Sequence, residues 1–291
     1  MDAAPASTFF SAPDGRKLHV REYGPRNDPR PAIVCLPGLT RTVADFDTPA
    51  EALAAKGRRV LALDSRGRGL SEYDTDPANY SLSVELGDLI AMLIAREAQP
   101  AVFIGSSRGG LLTMLLAAVQ PASIAGAILN DIGPVIEPTG LIRIKGYVGK
   151  VPQPRSFEEG GDILRRMFSH QFTALTADDW MAWAKRSWRD DNGHLAPTSD
   201  ATISKGLEGF TPDVPIPAMW PQFDALSGVP VMVVRGANSD LLAPETVAAM
   251  KARRTDLVTV EVADQSHTPL LEDDLTIGKL IAFIDTCDPR H

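Results

Sequence analysis

The run Ala101-Val102-Phe103-Ile104 leads directly into Gly105-Ser106-Ser107-Arg108-Gly109, and the apolar segment 111–119 follows. The short apolar run predicts a buried strand, and the segment after it predicts a helix. A G-x-S-x-G sequence between a strand and a helix is typical of a sharp turn, where small residues flank a serine exposed at the helix N-terminus. The glycine spacing selects Ser107 over Ser106. Ser107 is therefore the candidate nucleophile.

The pattern around this turn is an alternation of short apolar runs and helical segments. The apolar runs that predict strands are 33–36, 59–63, 101–104, 124–129, 229–234 and 258–262. Fully apolar strands that alternate with helices predict a mostly parallel sheet covered on both faces. Near the start, the extended runs 8–11 and 17–23 flank Asp14-Gly15, which predicts an antiparallel hairpin at one edge of that sheet.

Strand signals stop between residues 134 and 220. Ser156 and Thr176 each open a helical pattern with acidic residues in its first turn. We therefore predict an α/β core formed by 1–133 and 221–291, with residues 134–220 as an inserted helical cap. The cap holds all four tryptophans; they either build its own core or line a cleft against the α/β core. The candidates for substrate binding among them are Trp180, Trp183 and Trp220.

A serine hydroxyl needs a base to become a useful nucleophile. The chain has five histidines: His19, His170, His194, His267 and His291. His267 alone falls in the loop between the last predicted core strand and the last helix. In a parallel sheet this loop and the Ser107 turn share one edge, because both follow the carboxyl ends of strands. We predict that His267 is the base.

An aspartate is expected to hold the second nitrogen of this imidazole. Asp240 follows the strand 229–234 and precedes a helix, so it lies at the same sheet edge, and the chain order Ser, Asp, His suits this kind of site. Asp131 is the alternative, since it directly follows the strand 124–129. We favour Asp240.

Two backbone amides are expected to stabilise a developing oxyanion. One is the N–H of Arg108 at the start of the helix, and the other is the N–H of Leu39, where Gly38 lets the loop turn toward the site. The positive charge of Arg108 opposes the helix dipole and needs a partner. That partner is either a nearby protein carboxylate or a carboxylate of the substrate, and Arg41 presents the same two alternatives.

Composition argues against several classes of partner. The chain has 37 acidic and 29 basic residues, a net charge of −8, and no basic run, which argues against nucleic-acid binding. Its two cysteines form no disulfide framework, and we expect neither a metal nor another cofactor. The start of the chain resembles no secretory leader, and no apolar run is long enough for a bilayer, so we expect a cytoplasmic protein without a membrane association. The sequence does not indicate an oligomeric state.

The segment Asp64-Ser65-Arg66-Gly67-Arg68-Gly69-Leu70-Ser71 resembles the D-x-R-G-x-G-x-S segment of the α/β-hydrolase superfamily. With the Ser107 turn, it extends this resemblance over essentially the whole chain. Pro37-Gly38 stands where that superfamily usually has His-Gly, which puts the hydrogen bonds that support this loop in doubt. The insertion 134–220 lies where its members carry a helical cap. Within the superfamily, the chain is most similar to small bacterial esterases and lactonases, including those of the enol-lactonase type.

The resemblance implies an α/β-hydrolase fold and a serine hydrolase that cleaves a small-molecule ester or lactone through an acyl-enzyme on Ser107. A serine at this position argues against the dehalogenase and epoxide-hydrolase chemistry of relatives that use a carboxylate there. A C–C bond hydrolase or an acyltransferase would share every residue named above. A ligand receptor with a vestigial triad is the alternative from another class, and rapid labelling by a fluorophosphonate together with turnover of simple esters would distinguish an enzyme from it.

Overall fold

The computed structural model describes residues 4–211 and 214–289. Residues 1–3 lie outside this range, and the expectation about a secretory leader rested in part on them. His291 also lies outside it. Eight strands form one sheet in the order β1-β2-β4-β3-β5-β6-β9-β10, and two more form a separate hairpin. The strands are β1 (Ala6–Ser11), β2 (Lys17–Tyr23), β3 (Ala32–Leu36), β4 (Val60–Leu63), β5 (Ala101–Ser106), β6 (Ile124–Asn130), β7 (Trp188–Asp191), β8 (His194–Pro197), β9 (Val231–Gly236) and β10 (Val258–Val262).

Helices lie between these strands and after the last of them. They are α1 (Asp47–Ala55), α2 (Leu82–Ala95), α3 (Arg108–Val119), α4 (Pro138–Tyr147), α5 (Phe157–Phe168), α6 (Ala177–Ser187), α7 (Trp220–Asp224), α8 (Pro244–Arg253) and α9 (Asp274–Asp285). None of the helices within the described residues is long and apolar enough to cross a lipid bilayer.

The predicted α/β-hydrolase fold is confirmed. The hairpin β1–β2 is antiparallel, and so is the pair β2–β4, whereas the pairs from β4 through to β10 are parallel. Strands β3 and β5 are buried along their whole length, which explains why they are apolar at every position rather than at alternate ones.

Each face of the sheet has its own apolar layer. On one face, side chains of α2, α3 and α8 pack against the sheet, with Leu89, Leu116 and Met250 almost completely buried. On the other face, α1 and α9 do the same through Leu53 and Phe283. The sheet is thus a rigid platform, and the loops at its carboxyl edge carry side chains on fixed supports.

Between β6 and β9 the chain forms α4, α5 and α6, the hairpin β7–β8 and a 3₁₀ helix. The helix starts predicted there are confirmed: Ser156 caps α5, and Thr176 caps α6 through a reciprocal capping box with Asp179. The hairpin was not predicted. Its turn is Asn192-Gly193, both with positive φ, which is the strongest local signal for a two-residue hairpin and could have found it.

The end of this segment packs on the sheet layer rather than on α5 and α6. Helix α7 begins at Trp220 and contacts α3, while Phe223 is buried in the same apolar layer as Leu116. The ring of Trp220 packs edge-on against Phe223 and lies under the guanidinium of Arg253. Trp220 therefore shares its surroundings with the sheet layer.

Candidate active site

Ser107 lies on the sharp turn between β5 and α3. Its φ of 50° and ψ of −112° are strained for a residue with a side chain. Its N–H donates to the carbonyl of Asn130, and its own carbonyl accepts from Gly110. The turn requires glycine around it: a Cβ on Gly109 would lie 2.0 Å from the carbonyl oxygen of Leu36. The predicted turn is thus held by its neighbours on both sides.

The predicted base reaches the predicted nucleophile. Nε2 of His267 lies 2.8 Å from Oγ of Ser107. His267 follows β10, and Ser107 follows β5, so residues far apart in sequence meet at the carboxyl edge of the sheet as expected.

Asp131, rather than Asp240, holds the imidazole. Oδ2 of Asp131 lies 2.8 Å from Nδ1 of His267, and the carboxylate is completely buried. The same carboxylate accepts from the backbone N–H of Gly236 at 2.8 Å and from the hydroxyl of Ser239 at 2.6 Å. Three donors thus fix one orientation of Asp131. The preference for Asp240 is corrected in favour of the alternative.

Asp240 has a different partner. Its carboxylate pairs with the guanidinium of Arg143 on α4 through two hydrogen bonds of 2.6 and 2.8 Å. Burial alone would raise the pKa of Asp240, but the hydrogen bonds and the charge of Arg143 outweigh burial and hold that pKa below its ordinary value. Asp240 thus connects the loop after β9 to α4.

The order of the strands explains why Asp131, and not Asp240, forms the hydrogen bond with the imidazole. β6, which ends directly before Asp131, lies between β5 and β9 in the sheet. Asp131 itself adopts a φ of 53°. The loop after β9, where the aspartate was expected, instead supplies the N–H of Gly236 and the hydroxyl of Ser239 to that carboxylate. Sequence shows that both aspartates follow strands but does not show which strand lies beside β5.

Asn130 connects the loops that carry Ser107, His267 and Asp131. Its side chain is buried, and Nδ2 donates to Oγ of Ser106 at 2.8 Å and to the carbonyl of Pro269 at 3.0 Å. Pro269 lies two residues beyond His267, and Asp131 is the next residue after Asn130. We did not single out Asn130 from the sequence, since an asparagine at the end of a strand has no distinctive signal.

Leu39 and Arg108, the residues predicted to supply the oxyanion amides, border the same cavity as Ser107. Arg108 is the first residue of α3, and the N–H of a first helical residue has no partner within its helix. Leu39 lies in the turn after β3, and its N–H donates to no backbone carbonyl in the part of the chain that the structure describes. Such amides can stabilise negative charge on a carbonyl oxygen attacked by Ser107.

Arg41 and Arg108, which were considered as partners of a substrate carboxylate, both pair with carboxylates of the protein. Nε of Arg108 donates to Glu85 on α2 at 2.6 Å, and Nε of Arg41 donates to Asp45 at 2.6 Å. Burial would raise the pKa of Glu85, yet the charges of Arg68 and Arg108 keep that pKa below its ordinary value. Glu85 thus remains an anion and offsets the charge that Arg108 brings to the start of α3.

Two cavities meet at Ser107. The first, of about 290 Å³, is bordered by Gly38, His267 and side chains of α4, α5 and α6. The second, of about 680 Å³, is bordered by Arg108 and by apolar side chains that include Leu141 and Phe210. Ser107, Leu39 and Ile144 border both cavities.

The candidate tryptophans divide in their positions. Trp183 borders the first cavity, as does Trp188, which was not among the candidates. Trp180 borders neither cavity; it stacks on Trp183 at 5.4 Å between ring centroids inside the small core of α5 and α6. Trp220 also borders neither cavity. Of the three candidates, only Trp183 borders one of these two cavities.

Comparison with known proteins identifies the family of this chain. Residues 33–277 match the family model described as "Alpha/beta hydrolase family". The chain belongs to the α/β hydrolase family. Among curated relatives of this α/β hydrolase is the 3-hydroxybutyrate-oligomer hydrolase of Cupriavidus necator, 34% identical over 96% of this chain and 97% of that protein. Another is the 2-(acetamidomethylene)succinate hydrolase of Mesorhizobium japonicum, 25% identical over 92% of this chain and 91% of that protein.

Solved structures agree with the assignment. An α/β hydrolase from Novosphingobium aromaticivorans superposes with a TM-score of 0.89 at 36% identity, over 97% of this chain and 99% of that one. A putative hydrolase from Rickettsia typhi gives a TM-score of 0.84 at 24% identity, over 98% of both chains, which shows the fold alone. The predicted resemblance to hydrolases of the esterase and lactonase type is confirmed at the level of the family.

Proposed function

We propose that this α/β hydrolase is a serine esterase that cleaves a carboxylic ester or lactone through an acyl-enzyme on Ser107. The observation that carries the proposal is the row Ser107–His267–Asp131, with both hydrogen bonds at 2.8 Å. A nucleophile, a base and a buried carboxylate that orients the base are the three parts that acyl transfer to a serine needs.

In the proposed reaction, Oγ of Ser107 attacks the ester carbon while its proton moves to Nε2 of His267. The amides of Leu39 and Arg108 stabilise the oxyanion, and Asp131 stabilises the imidazolium without taking the proton. The C–O bond then breaks, and His267 returns the proton to the departing alcohol. A water molecule, activated by the same imidazole, hydrolyses the acyl-enzyme and regenerates Ser107.

We further propose that most of the inserted segment is a cap over this site. Helices α4, α5 and α6 contribute Ile144, Leu164 and Trp183 to the wall of the first cavity. Since Trp220 and α7 pack on the layer around α3, we propose that the cap ends before Trp220, slightly earlier than the sequence suggested.

The curated relatives suggest where the substrate search should begin. The Cupriavidus necator protein is a 3-hydroxybutyrate-oligomer hydrolase, and it covers nearly all of this chain. Short oligomeric esters of hydroxy acids are therefore the first natural substrates that we would test on this protein, after simple esters.

The test is hydrolysis of p-nitrophenyl esters with acyl chains of two to eight carbons. We expect turnover by the wild type and a loss of kcat of about 10⁶-fold in Ser107→Ala, because the nucleophile is removed. Ser106→Ala is the matched control: it removes a neighbouring hydroxyl that contacts Asn130 and not His267, so its loss of kcat should be no larger than that expected for Asn130→Ala. A fluorophosphonate should label the wild type and Ser106→Ala but not Ser107→Ala. Labelling without turnover on any ester would favour a C–C bond hydrolase, an acyltransferase or a receptor, and no labelling would exclude the proposed nucleophile.

A further inference from the structure

The two cavities that meet at Ser107 differ in a way that bears on how an ester would lie. His267 borders the first cavity and is absent from the described residues that border the second. If Ser107 acts as proposed, Nε2 of His267 must give a proton to the oxygen of the departing alcohol. That oxygen must then lie within hydrogen-bond distance of Nε2, and the rest of the alcohol extends into the space that His267 borders.

The second cavity has the character of an acyl site. Its wall includes the apolar side chains of Ile132, Ile136, Leu141 and Phe210, and it also borders Arg108, whose amide is a proposed oxyanion donor. If the carbonyl oxygen of the ester faces that amide and the alcohol faces His267, the acyl chain extends into the second cavity. The larger and more apolar of the two spaces would thus receive the hydrocarbon.

The first cavity carries a group of four charged side chains, which we call the charged quartet: Arg41, Asp45, Arg186 and Glu272. Arg41 pairs with Asp45, and Arg186 pairs with Glu272 and lies 3.5 Å from Asp45. The four side chains keep between 14% and 26% of their surface exposed, so they face the cavity rather than the protein interior. Formally, the quartet carries no net charge.

The quartet lies close to the reaction centre. A Cβ on Gly38 would be 3.4 Å from Cγ of Arg41 and 3.8 Å from Cβ of Ser107, so one small residue separates the two side chains. Trp183 borders the same cavity, and the guanidinium of Arg41 lies 5.5 Å from the centroid of its ring. Charged side chains that border a cavity favour a ligand that can accept and donate hydrogen bonds.

We propose that the ester lies across Ser107 with its acyl chain in the second cavity and its alcohol portion in the first. We also propose that the charged quartet selects an alcohol portion that carries an uncharged oxygen, such as a hydroxyl or a further ester group. Both arginines already have carboxylate partners, so an anionic alcohol portion would meet Asp45 and Glu272 without a free positive charge to offset it. This inference rests on the proposed function and concerns the substrate class of the same site.

Pocket-filling variants test the orientation. Val151 borders the first cavity and not the second, and Leu141 borders the second and not the first. kcat/KM would be measured for butyrate esters of lengthening alcohols and for ethyl esters of lengthening acids. We expect Val151→Phe to penalise long alcohols and Leu141→Phe to penalise long acyl chains, each by about tenfold relative to the shortest member. Each variant is the control for the other, and the reverse pattern, or no pattern, would overturn the orientation.

Three butyrate esters test the selectivity: butyl, 3-hydroxybutyl and 3-carboxypropyl. We expect the wild type to hydrolyse the hydroxylated ester about five- to tenfold better than the butyl ester, and the anionic ester least well. In Arg186→Met/Glu272→Met the ratio of hydroxylated to butyl ester should fall toward one, and Arg41→Met/Asp45→Met tests the other pair if the first variant fails to fold. Arg155→Met/Glu159→Met, an ion pair that borders neither cavity, should keep the wild-type ratio.

The outcomes separate the two proposals. If the anionic ester is the best substrate, or if the ratio does not change in the quartet variants, the selectivity proposal is wrong while the esterase proposal stands. If the wild type hydrolyses none of these esters and none of the p-nitrophenyl esters, the proposed function itself fails.

Discussion

At the scale of single residues, the site depends on side chains whose partners are already in place. The carboxylate of Asp131 is buried and accepts from His267, Gly236 and Ser239. The N–H of Gly236 and the hydroxyl of Ser239 hold this carboxylate in position whether or not the imidazole is charged. In the proposed acyl transfer, such preorganisation would lower the cost of forming the imidazolium.

Exchanging each aspartate for asparagine tests the corrected acid. We expect Asp131→Asn to lose about 10³- to 10⁴-fold in kcat, because an amide at this position stabilises the wrong tautomer of His267. Asp240→Asn should retain most of its activity, since Asp240 pairs with Arg143 and forms no hydrogen bond with the imidazole. Steady-state kinetics on one p-nitrophenyl ester measure both. A strong loss in Asp240→Asn with an active Asp131→Asn would contradict the structure.

Asn130 offers a second prediction at this scale. Replacing it with alanine removes the two hydrogen bonds that connect the Ser106 side chain and the loop after His267. We expect kcat to fall about 10- to 100-fold with little change in KM, because the loops lose their alignment while the cavities remain. The measurement is the separate determination of kcat and KM on a p-nitrophenyl ester.

The matched control for Asn130 is Thr113→Val. Thr113 is equally buried, and its hydroxyl donates to the carbonyl of Gly109 on the same helix, so this variant also loses a buried hydrogen bond near Ser107. It should lower the melting temperature and leave kcat nearly intact. If both variants lose stability and activity in parallel, Asn130 has only a structural role.

At the scale of elements, the turn from β5 to α3 requires close contact between backbones. Gly109 approaches the carbonyl of Leu36 so closely that a Cβ would lie 2.0 Å from its oxygen, and a Cβ on Gly105 would lie 2.5 Å from the backbone nitrogen of Gly110. Neither obstacle is a flexible side chain that could move aside. The glycines therefore set the distance at which α3 packs on the sheet.

Gly109→Ala should consequently destabilise the protein by about 3 kcal/mol or more, because α3 or β3 must shift. Gly278→Ala is the control: this glycine lies within α9 with open space around its Cα, so alanine should stabilise the fold by about 0.5–1 kcal/mol. Urea unfolding monitored by tryptophan fluorescence measures both. Equal effects of the two substitutions would show that the close approach at Gly109 is not maintained in solution.

At the scale of the whole molecule, a buried ion cluster joins separate parts of the chain. Arg66, only 1% exposed, pairs with Asp88 on α2, with Asp74 in the loop after β4, and with Asp14 in the first hairpin. Burial raises the pKa of Asp88 above its ordinary value, in spite of the opposing effect of Arg66. The segment that suggested the superfamily from sequence thus contributes the central cation of this cluster.

Removing that cation should leave buried carboxylates without compensation. We expect Arg66→Met to cost about 3–5 kcal/mol in the free energy of unfolding. Arg155→Met removes the cation of an exposed pair, where Arg155 is 91% exposed, and should leave the stability nearly unchanged. Chemical denaturation of both variants at neutral pH provides the comparison, and a stable Arg66→Met protein would show that the cluster contributes little.

The sequence by itself determined the α/β order of elements, the antiparallel hairpin, the Ser107 turn and the position of His267. These features have local causes: apolar runs, Asp14-Gly15, glycine spacing and helix caps such as Thr176. The hairpin at Asn192-Gly193 had a local signal as well, which we did not use.

Only the tertiary structure decided which aspartate holds His267, what Arg41 and Arg108 pair with, and which tryptophans border a cavity. The physical reason is the same in each case. The order of strands in a sheet and the packing of the inserted helices depend on contacts between residues far apart in sequence. Two aspartates that both follow strands are alike along the chain, and they differ only once β6 lies between β5 and β9.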